Sequence, residues 1–157
     1  MDTHRLREAE EERGARLRLR GEERRIEGQH ERLDTLCREV YAVLGKEGPA
    51  AAINDFLLYK SALEAHMTLE EDVYFPALHG LRGDLSELLT KLVEEHDEVR
   101  VELTEIKMRL KRGDQTGARL GLEAMARFFE KHEQIEEDLL AHVTEGPIAA
   151  TGAQSSL

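Results

Sequence analysis

The 157-residue chain has no tryptophan, a single cysteine, three prolines and only 4% aromatic residues. One cysteine, Cys37, excludes an intramolecular disulfide and fits a reducing compartment. No apolar run is long enough to cross a bilayer, and the first residues lack the apolar core of a secretory signal. We therefore expect a cytoplasmic protein that has no membrane partner.

Positive charge is scarce relative to negative charge, because 22 lysines and arginines stand against 33 aspartates and glutamates. The formal net charge of -11 argues against a nucleic-acid partner, since nucleic acids bind basic surfaces. The abundant residues are leucine, alanine, glutamate and arginine, which keep much of their side-chain freedom in a helix. Composition therefore predicts an all-α protein, and the length predicts one domain with its own core.

A charged segment precedes four amphipathic stretches. Residues 1–25 mix arginine and glutamate with almost no apolar stripe, which predicts a charged N-terminal helical arm outside the core. Residues 26–143 carry apolar residues at steps of three and four, in four stretches separated by glycine-containing turns. This pattern predicts an up-down-up-down four-helix bundle, with Val73 facing inward and Asp84 as an N-cap. The small, uncharged residues 144–157 are predicted to form a disordered tail.

Each of the four apolar stripes is interrupted near its middle by a histidine, and two stripes add a glutamate one turn later. These six candidate metal ligands are His30, His66, Glu70, His96, His132 and Glu136. Residues at i and i+4 share a helix face, so each His-x-x-x-Glu pair points the same way. Unpaired buried polar groups cost on the order of 1–3 kcal/mol each, against about 5–15 kcal/mol for the whole stability of a small domain. A metal cluster would compensate them, whereas a purely structural bundle would need other partners for them.

The six positions repeat along the chain. The histidines of the first pair and of the second pair are both 36 residues apart, and a shift of 66 positions superimposes the two pairs. The same shift aligns Glu70 with Glu136. Two pseudo-repeated helical hairpins, each supplying two histidines and a glutamate, predict two metal ions bridged by the glutamates. Imidazole and carboxylate without thiolate favour iron, with zinc as the main competitor.

The order His, His-x-x-x-Glu, His, His-x-x-x-Glu, followed after the first motif by Tyr74-Phe75-Pro76, resembles the hemerythrin-like, or HHE cation-binding, family. The resemblance spans about residues 26–143. It implies a centre of two iron ions joined by an oxo or hydroxo bridge. It also implies that the first two of the four histidines serve one iron and the last two serve the other.

Two positions depart from the oxygen carriers of that family. Arg100 stands where the carriers place a further histidine, and a guanidinium group does not bind a metal. The carriers also use an aspartate where this chain has Glu137, so Glu137 is an alternative ligand to Glu136. These departures resemble family members linked to iron-cluster repair, to iron or oxygen sensing, and to peroxide or nitric oxide chemistry.

The leading hypothesis is a non-haem di-iron protein that binds or reacts with a small oxidant (O2, peroxide or NO) as a sensor, scavenger or weak peroxidase. The alternative is an iron storage or delivery module, or an iron-cluster repair module, that acts through a protein partner. The arm of residues 1–25 is the candidate surface for such a partner or for self-association.

Other polar residues near the motifs are predicted to lie outside the site. Asp34 is expected to be a surface charge, with a partner that orients a metal ligand or an ion pair with Arg100 across the bundle as the alternatives. The remaining acidic residues beside the motifs are expected to form a solvated face: Glu71, Asp72, Glu133 and Asp138. Three histidines are expected to be exposed: His4, His79 and His142.

Overall fold

A computed structural model describes residues 3–145, which are helical except at short turns. The helices are α1 (Thr3–Glu47), α2 (Pro49–Leu69), α3 (Phe75–Leu81), α4 (Ser86–Lys111) and α5 (Gln115–Glu145). A π-helical turn, Glu70–Tyr74, joins α2 to α3, and a 3-10 turn, Gly83–Leu85, precedes α4. No helix in residues 3–145 is long and apolar enough to span a membrane. The prediction of a disordered tail at 144–157 is wrong at its first two residues, which belong to α5, and the rest of the tail lies outside the described residues.

Glycines make two of the turns between helices. Gly48 has φ 91 and is followed directly by Pro49, the first residue of α2. Gly113 has φ 77, and Asp114 then caps α5 by accepting a hydrogen bond of 2.9 Å from the backbone N–H of Gly117. Glycine adopts positive φ without steric cost, and proline suits the first turn of a helix, so both turns follow from the local sequence.

The start of α4 differs from the prediction. Asp84 does not cap the helix, because the residue at the N-cap is Leu85, with no side-chain cap hydrogen bond. Asp84 instead accepts two hydrogen bonds, of 2.8 and 2.7 Å, from the guanidinium of Arg82. A charge-assisted bidentate pair satisfies the carboxylate more strongly than one backbone N–H does.

The core consists of two apolar clusters, one on each side of the histidines. The larger cluster includes Leu33, Leu63, Val99 and Phe129, each three residues from a histidine in the sequence. The smaller cluster lies on the opposite side and contains ten buried residues: Leu19, Ile26, Tyr74, Phe75, Leu78, Leu89, Leu92, Leu139, Leu140 and Val143. The histidines are therefore enclosed by apolar side chains above and below, where unpaired polar groups are costly.

Part of the N-terminal arm belongs to this core, so the prediction that residues 1–25 lie outside it is wrong at Leu19. Leu19 is 3% exposed and packs in the smaller cluster. The arm is continuous with the rest of α1, and Leu19 precedes Ile26 by two helical turns on the same face. Close by, the Tyr74 hydroxyl donates a hydrogen bond of 2.9 Å to Glu22. Residues 3–13 are exposed.

The π-helical turn between α2 and α3 changes which residues face inward. The backbone N–H of Phe75 donates to the carbonyl of Glu70, five residues earlier. Pro76 lacks an N–H and would clash with the carbonyl four residues before it, which explains the wider turn. The extra residue rotates the stripe, so Tyr74 is buried while Val73, predicted to face inward, is 49% exposed.

Candidate metal centre

The structure brings the six predicted ligands together in one buried layer of the bundle. His30 comes from α1, His66 from α2, His96 from α4 and His132 from α5. None of the six residues is more than 4% exposed. The carboxylates are one turn from a histidine, Glu70 in the π-helical turn and Glu136 in α5.

Within this layer the ligand atoms form two overlapping groups, in each of which the atoms lie within 4.8 Å of one another. One group contains Glu70, His96, His132 and Glu136, and the other contains His30, His66 and Glu136. Only Glu136 belongs to both. Such sets of imidazole and carboxylate groups have the composition of a site for one or more transition metal ions.

The histidine rings face each other in pairs through their Nε2 atoms. The Nε2 atoms of His30 and His66 are 3.1 Å apart, and those of His96 and His132 are 2.9 Å apart. Carboxylate oxygens complete the layer, with Glu70 Oε1 at 2.8 Å from His66 Nε2 and Glu136 in contact with His132 Nε2. Four ring nitrogens and two carboxylates therefore converge on one small volume.

The opposite ring nitrogens, the Nδ1 atoms, all contact oxygen acceptors at the rim. His30 Nδ1 lies 3.0 Å from Glu137, and His66 Nδ1 lies 2.7 Å from Gln29 Oε1. The other two contacts join His96 Nδ1 to Glu71 at 3.1 Å and His132 Nδ1 to Glu95 at 2.7 Å. An ionised carboxylate or an amide oxygen only accepts hydrogen bonds, so each Nδ1 is the donor.

This outer ring of acceptors determines which nitrogen of each neutral histidine carries the proton. A neutral imidazole that donates through Nδ1 carries a lone pair on Nε2. The paired Nε2 atoms would then repel each other, as would the buried oxygens beside them. Three of these buried oxygens lie near the histidines but make no hydrogen bond to any residue in the range 3–145. They are Oε1 of Glu70 and both side-chain oxygens of Glu136. Lone pairs that converge in this way fit a bound cation.

The pKa values of the His30–His66 pair show the same repulsion between neighbouring groups when no cation is present. Burial lowers the pKa of His30, but close contacts with the carboxylates of Glu136 and Glu137 outweigh burial and raise the pKa to about 9. Burial, together with the positive charge on His30, lowers the pKa of its ring partner His66 to about 4. One imidazole of the pair is therefore charged at the expense of the other, because two adjacent charged rings repel each other.

The pKa values of the two central carboxylates are also shifted in opposite directions. Burial and the negative charge of Glu136 raise the pKa of Glu70 well above its usual value. Burial also opposes ionisation of Glu136, but its close contacts with His132 and His30 hold the pKa well below the usual range. A bound cation would let both carboxylates ionise, because it supplies the positive charge that the layer lacks.

The residues considered as alternatives occupy the rim. Glu137 contacts Nδ1 of His30, on the far side of the ring from the paired Nε2 atoms, whereas Glu136 lies in the centre. Arg100 donates to Glu71 at 3.0 and 2.8 Å and to Asp97 at 2.9 Å. Of the expectations for Asp34, the ion pair with Arg100 is therefore wrong, and the surface position is confirmed because Asp34 is exposed. His4, His79 and His142 are exposed, as predicted.

Sequence reasoning placed two of the acidic residues wrongly. Glu71, expected on a solvated face, bonds to both His96 and Arg100, and these contacts outweigh partial burial and lower its pKa. Glu133 is only 8% exposed, and burial raises its pKa to about 7. Its Oε1 has no hydrogen-bond partner in the described part of the chain. The 66-residue shift relates Glu71 to Glu137. This correspondence was the sign in the sequence that both glutamates contact Nδ1 of a histidine.

Aromatic rings cover part of the histidine layer. The Phe75 ring stacks on His96 with centroids 5.7 Å apart, and the Phe129 ring lies 5.5 Å from that of His132. Apolar rings lower the local dielectric and exclude water, which strengthens electrostatic interactions inside the layer.

The family relationship follows from a comparison with protein-family models. The model of the hemerythrin HHE cation binding domain matches residues 23–144, which contain all six converging side chains. Comparison with curated proteins and with solved structures gives no match. Since the family model covers most of the sequence and its metal-binding function fits the buried His and Glu groups, the chain belongs to the hemerythrin HHE cation-binding family.

Proposed function

We propose that the chain is a non-haem di-iron protein that reacts with a small oxidant (O2, peroxide or NO) as a sensor, scavenger or weak peroxidase. The observation that carries this proposal is the convergence of four Nε2 atoms with the unpartnered carboxylate oxygens of Glu70 and Glu136 in a buried layer. The proposed ligands are His30, His66, Glu70, His96, His132 and Glu136. Two irons, joined by an oxo or hydroxo bridge, would supply the electrons that reduce the oxidant.

The distances support two metal positions that share carboxylates. His30 and His66 would hold one iron, and the second pair of histidines would hold the other. Glu136 belongs to both groups of ligand atoms, as a bridging carboxylate requires. Glu70 Oε1 lies 2.8 Å from His66 Nε2 and 3.7 Å from His96 Nε2, so it also stands between the two positions. These placements favour Glu136 over Glu137 as the ligand from α5.

The proposal includes an up-down-up-down bundle of two repeated hairpins. Its support extends beyond the ligands, because the shift of 66 positions also relates their outer partners. Glu71, which contacts His96, corresponds to Glu137, which contacts His30. Gln29 and Glu95 correspond in the same way and contact the other two histidines.

Reaction with an oxidant, rather than reversible oxygen storage, is favoured by Arg100. Its guanidinium is engaged by Glu71 and Asp97, and it offers no ligand to a metal. One iron would therefore have fewer protein ligands than in a carrier with a further histidine. A position without a protein ligand is where an exogenous small molecule binds to a metal.

Anaerobic loading with ferrous iron, followed by exposure to air, tests the proposal. The expected result is about two irons per chain, with charge-transfer absorption in the near-ultraviolet and visible range after oxidation. His66→Ala should lower the iron content, whereas His79→Ala, which alters an exposed histidine, should not. Stoichiometric zinc without any iron binding would contradict the proposal, as would a melting temperature that EDTA and His66→Ala both leave unchanged.

A partner-dependent function in iron delivery or cluster repair is the second candidate. It is favoured by a groove of about 650 Å³ between the arm and α3. Leu19, Val73 and Leu81 contribute apolar surface, and Glu8 and Glu12 add negative charge. A partner with apolar and basic side chains would complement this groove.

Deletion of residues 1–14 separates the two candidates, because it removes the exposed residues 3–13, which include Glu8 and Glu12 of the groove, and keeps Leu19. Iron transfer from the ferrous protein to a metal-free iron–sulfur protein is measured for the full chain and for the deletion variant. Faster transfer from the full chain would support the delivery function. Equal transfer rates, with oxidant reduction intact in both, would argue against it.

A further inference from the structure

We propose that a cavity beside the metal centre binds an organic hydroperoxide, R–O–O–H, with Glu133 as its hydrogen-bonding group. This inference rests on the proposed di-iron function and specifies its oxidant. The cavity has a volume of about 330 Å³ and lies between α1, α2 and α5. Its lining includes Leu33, Leu63, Phe129 and Glu133.

The position of the cavity brings it next to the metal layer. Leu33 and Leu63 are each three residues, or about one turn, from a proposed ligand, His30 and His66 respectively. The Phe129 ring lies 5.5 Å from the ring of His132. Exposed residues, among them Asp34, also line the cavity and mark its opening to solvent. A ligand in the cavity would therefore lie between solvent and the proposed irons.

Glu133 gives the cavity a polar oxygen atom that has no partner among the described residues. Its side chain is buried, and Oε1 makes no hydrogen bond to any residue in the range 3–145. The other buried polar group of the lining is already engaged, because the Tyr59 hydroxyl donates to Met125 Sδ at 3.6 Å. A buried carboxyl oxygen without a partner costs on the order of 1–3 kcal/mol, so a ligand that hydrogen-bonds to it gains affinity.

Size and chemistry together favour a hydroperoxide over the diatomic oxidants. O2 and NO have no hydrogen-bond donor for Glu133, and they need no more room than a water molecule, about 30 Å³. The cavity is ten times larger, near the lower limit of sites for small organic ligands, about 300 Å³. Its apolar walls fit the R group, and its carboxyl group fits the O–O–H group.

The reaction balances without any further co-reactant. The O–O bond of R–O–O–H breaks as the molecule takes up two electrons and two protons, which gives R–OH and water. Two ferrous ions, held by the proposed ligands, would supply one electron each and become ferric, and solvent would supply the protons. The alcohol product keeps the R group and the hydroxyl donor, so it is also a ligand for the cavity.

The test uses 2-phenyl-2-propanol, the alcohol that corresponds to cumene hydroperoxide. Its binding to the metal-free full chain is measured by calorimetry or by NMR shifts. We expect saturable binding that Glu133→Leu weakens by about tenfold, the loss of one good hydrogen bond. Ala126→Phe, at the cavity wall, should abolish binding. Ala124→Phe is the matched control, because it lies two residues away on α5 and lines a different cavity.

The iron-loaded protein gives a second measurement, the rate of ferrous oxidation by cumene hydroperoxide relative to that by hydrogen peroxide. Ala126→Phe should lower this ratio at least tenfold relative to Ala124→Phe. Absence of saturable alcohol binding, or equal effects of the two alanine substitutions, would overturn the inference. If the alcohol binds as expected but the chain holds no iron, the cavity is real and the proposed di-iron function fails.

Discussion

The two halves of the histidine layer have the same proposed ligands, but the residues that accept hydrogen bonds from the Nδ1 atoms differ. In the first half, His66 donates to the amide oxygen of Gln29, and in the second half His132 donates to the carboxylate of Glu95, both at 2.7 Å. A carboxylate makes a histidine a stronger electron donor to a metal than a neutral amide does. A repeated set of ligands therefore does not imply two equivalent metal positions.

The second pair of outer residues also differs between the halves. Glu71 is fixed by Arg100 through contacts of 3.0 and 2.8 Å, and its side chain is 21% exposed. Glu137 has a side chain that is 34% exposed, and the position that corresponds to Arg100 is Asp34. The histidine layer is thus supported by an ion-paired carboxylate on one side and by a freer carboxylate on the other. If the proposed di-iron function holds, the His96–His132 half should therefore bind its metal more tightly.

Removal of a proposed ligand should have the largest effect and should reveal the difference directly. His66→Ala should leave about one iron per chain, held by the stronger half, whereas His132→Ala should leave less than one. Metal analysis of the purified variants measures the ratio. His142→Ala, an exposed histidine on α5, is the control. Equal iron contents in the two variants would show that the halves bind equally well.

Exchange of the outer acceptors should change affinity without touching a ligand. Glu95→Gln gives both halves an amide and should weaken iron binding at the second half by about 10-fold to 100-fold. Gln29→Glu gives both halves a carboxylate and should tighten binding at the first half. Competition with a chromophoric chelator measures the affinities of the two iron-binding steps, one for each half. Two steps that stay as far apart in Glu95→Gln as in the parent chain would contradict this account.

The other acceptors offer a smaller test of the same comparison. Glu71→Gln should weaken iron binding by about tenfold, because Glu71 is less exposed than Glu137 and is held in place by Arg100. Glu137→Gln should weaken it by only a few-fold, since solvent competes for its hydrogen bond. The same chelator titration applies. A larger effect at Glu137 would reverse the assignment of the stronger half.

Loss of the ion pair between Arg100 and Glu71 should have the smallest effect, and this effect is on stability. The side chains of Arg100 and Glu71 are 31% and 21% exposed, and pairs near the surface contribute about 0–1 kcal/mol to stability. Arg100→Gln should therefore lower the free energy of unfolding of the metal-free protein by less than about 1 kcal/mol. Urea denaturation measures it, with Arg82→Gln as the control for an exposed pair. A loss above 2 kcal/mol would mean that the pair behaves as a buried one.

The sequence predicted the helices and the histidine layer because both depend on local periodicity. Apolar steps of three and four specify the inner face of a helix, and a polar residue on that face must be buried. His30 and its three counterparts were identified in this way, and all four are buried. The cytoplasmic location and the absence of nucleic-acid and membrane partners stay predictions from composition.

The features that sequence reasoning missed depend on contacts between helices. Gln29 is adjacent to His30 in the sequence but bonds to His66 on the neighbouring helix, a reach that only the packing defines. The π-helical turn likewise could not be read from apolar spacing, since the inserted residue moved Tyr74 to the place expected for Val73. Pro76 was a local sign of a break, but it did not specify a π-helical turn.

The contacts between α1 and the end of α5 have a consequence for where this domain can be cut. Arg16 donates a hydrogen bond to the carbonyl of Val143, and Arg20 donates one of 3.4 Å to that of Thr144. These two arginines therefore join the last described residues of α5 to α1. Both precede the family match at residues 23–144. A fragment that begins at residue 23 would therefore lose contacts that α1 makes with α5 in the full chain.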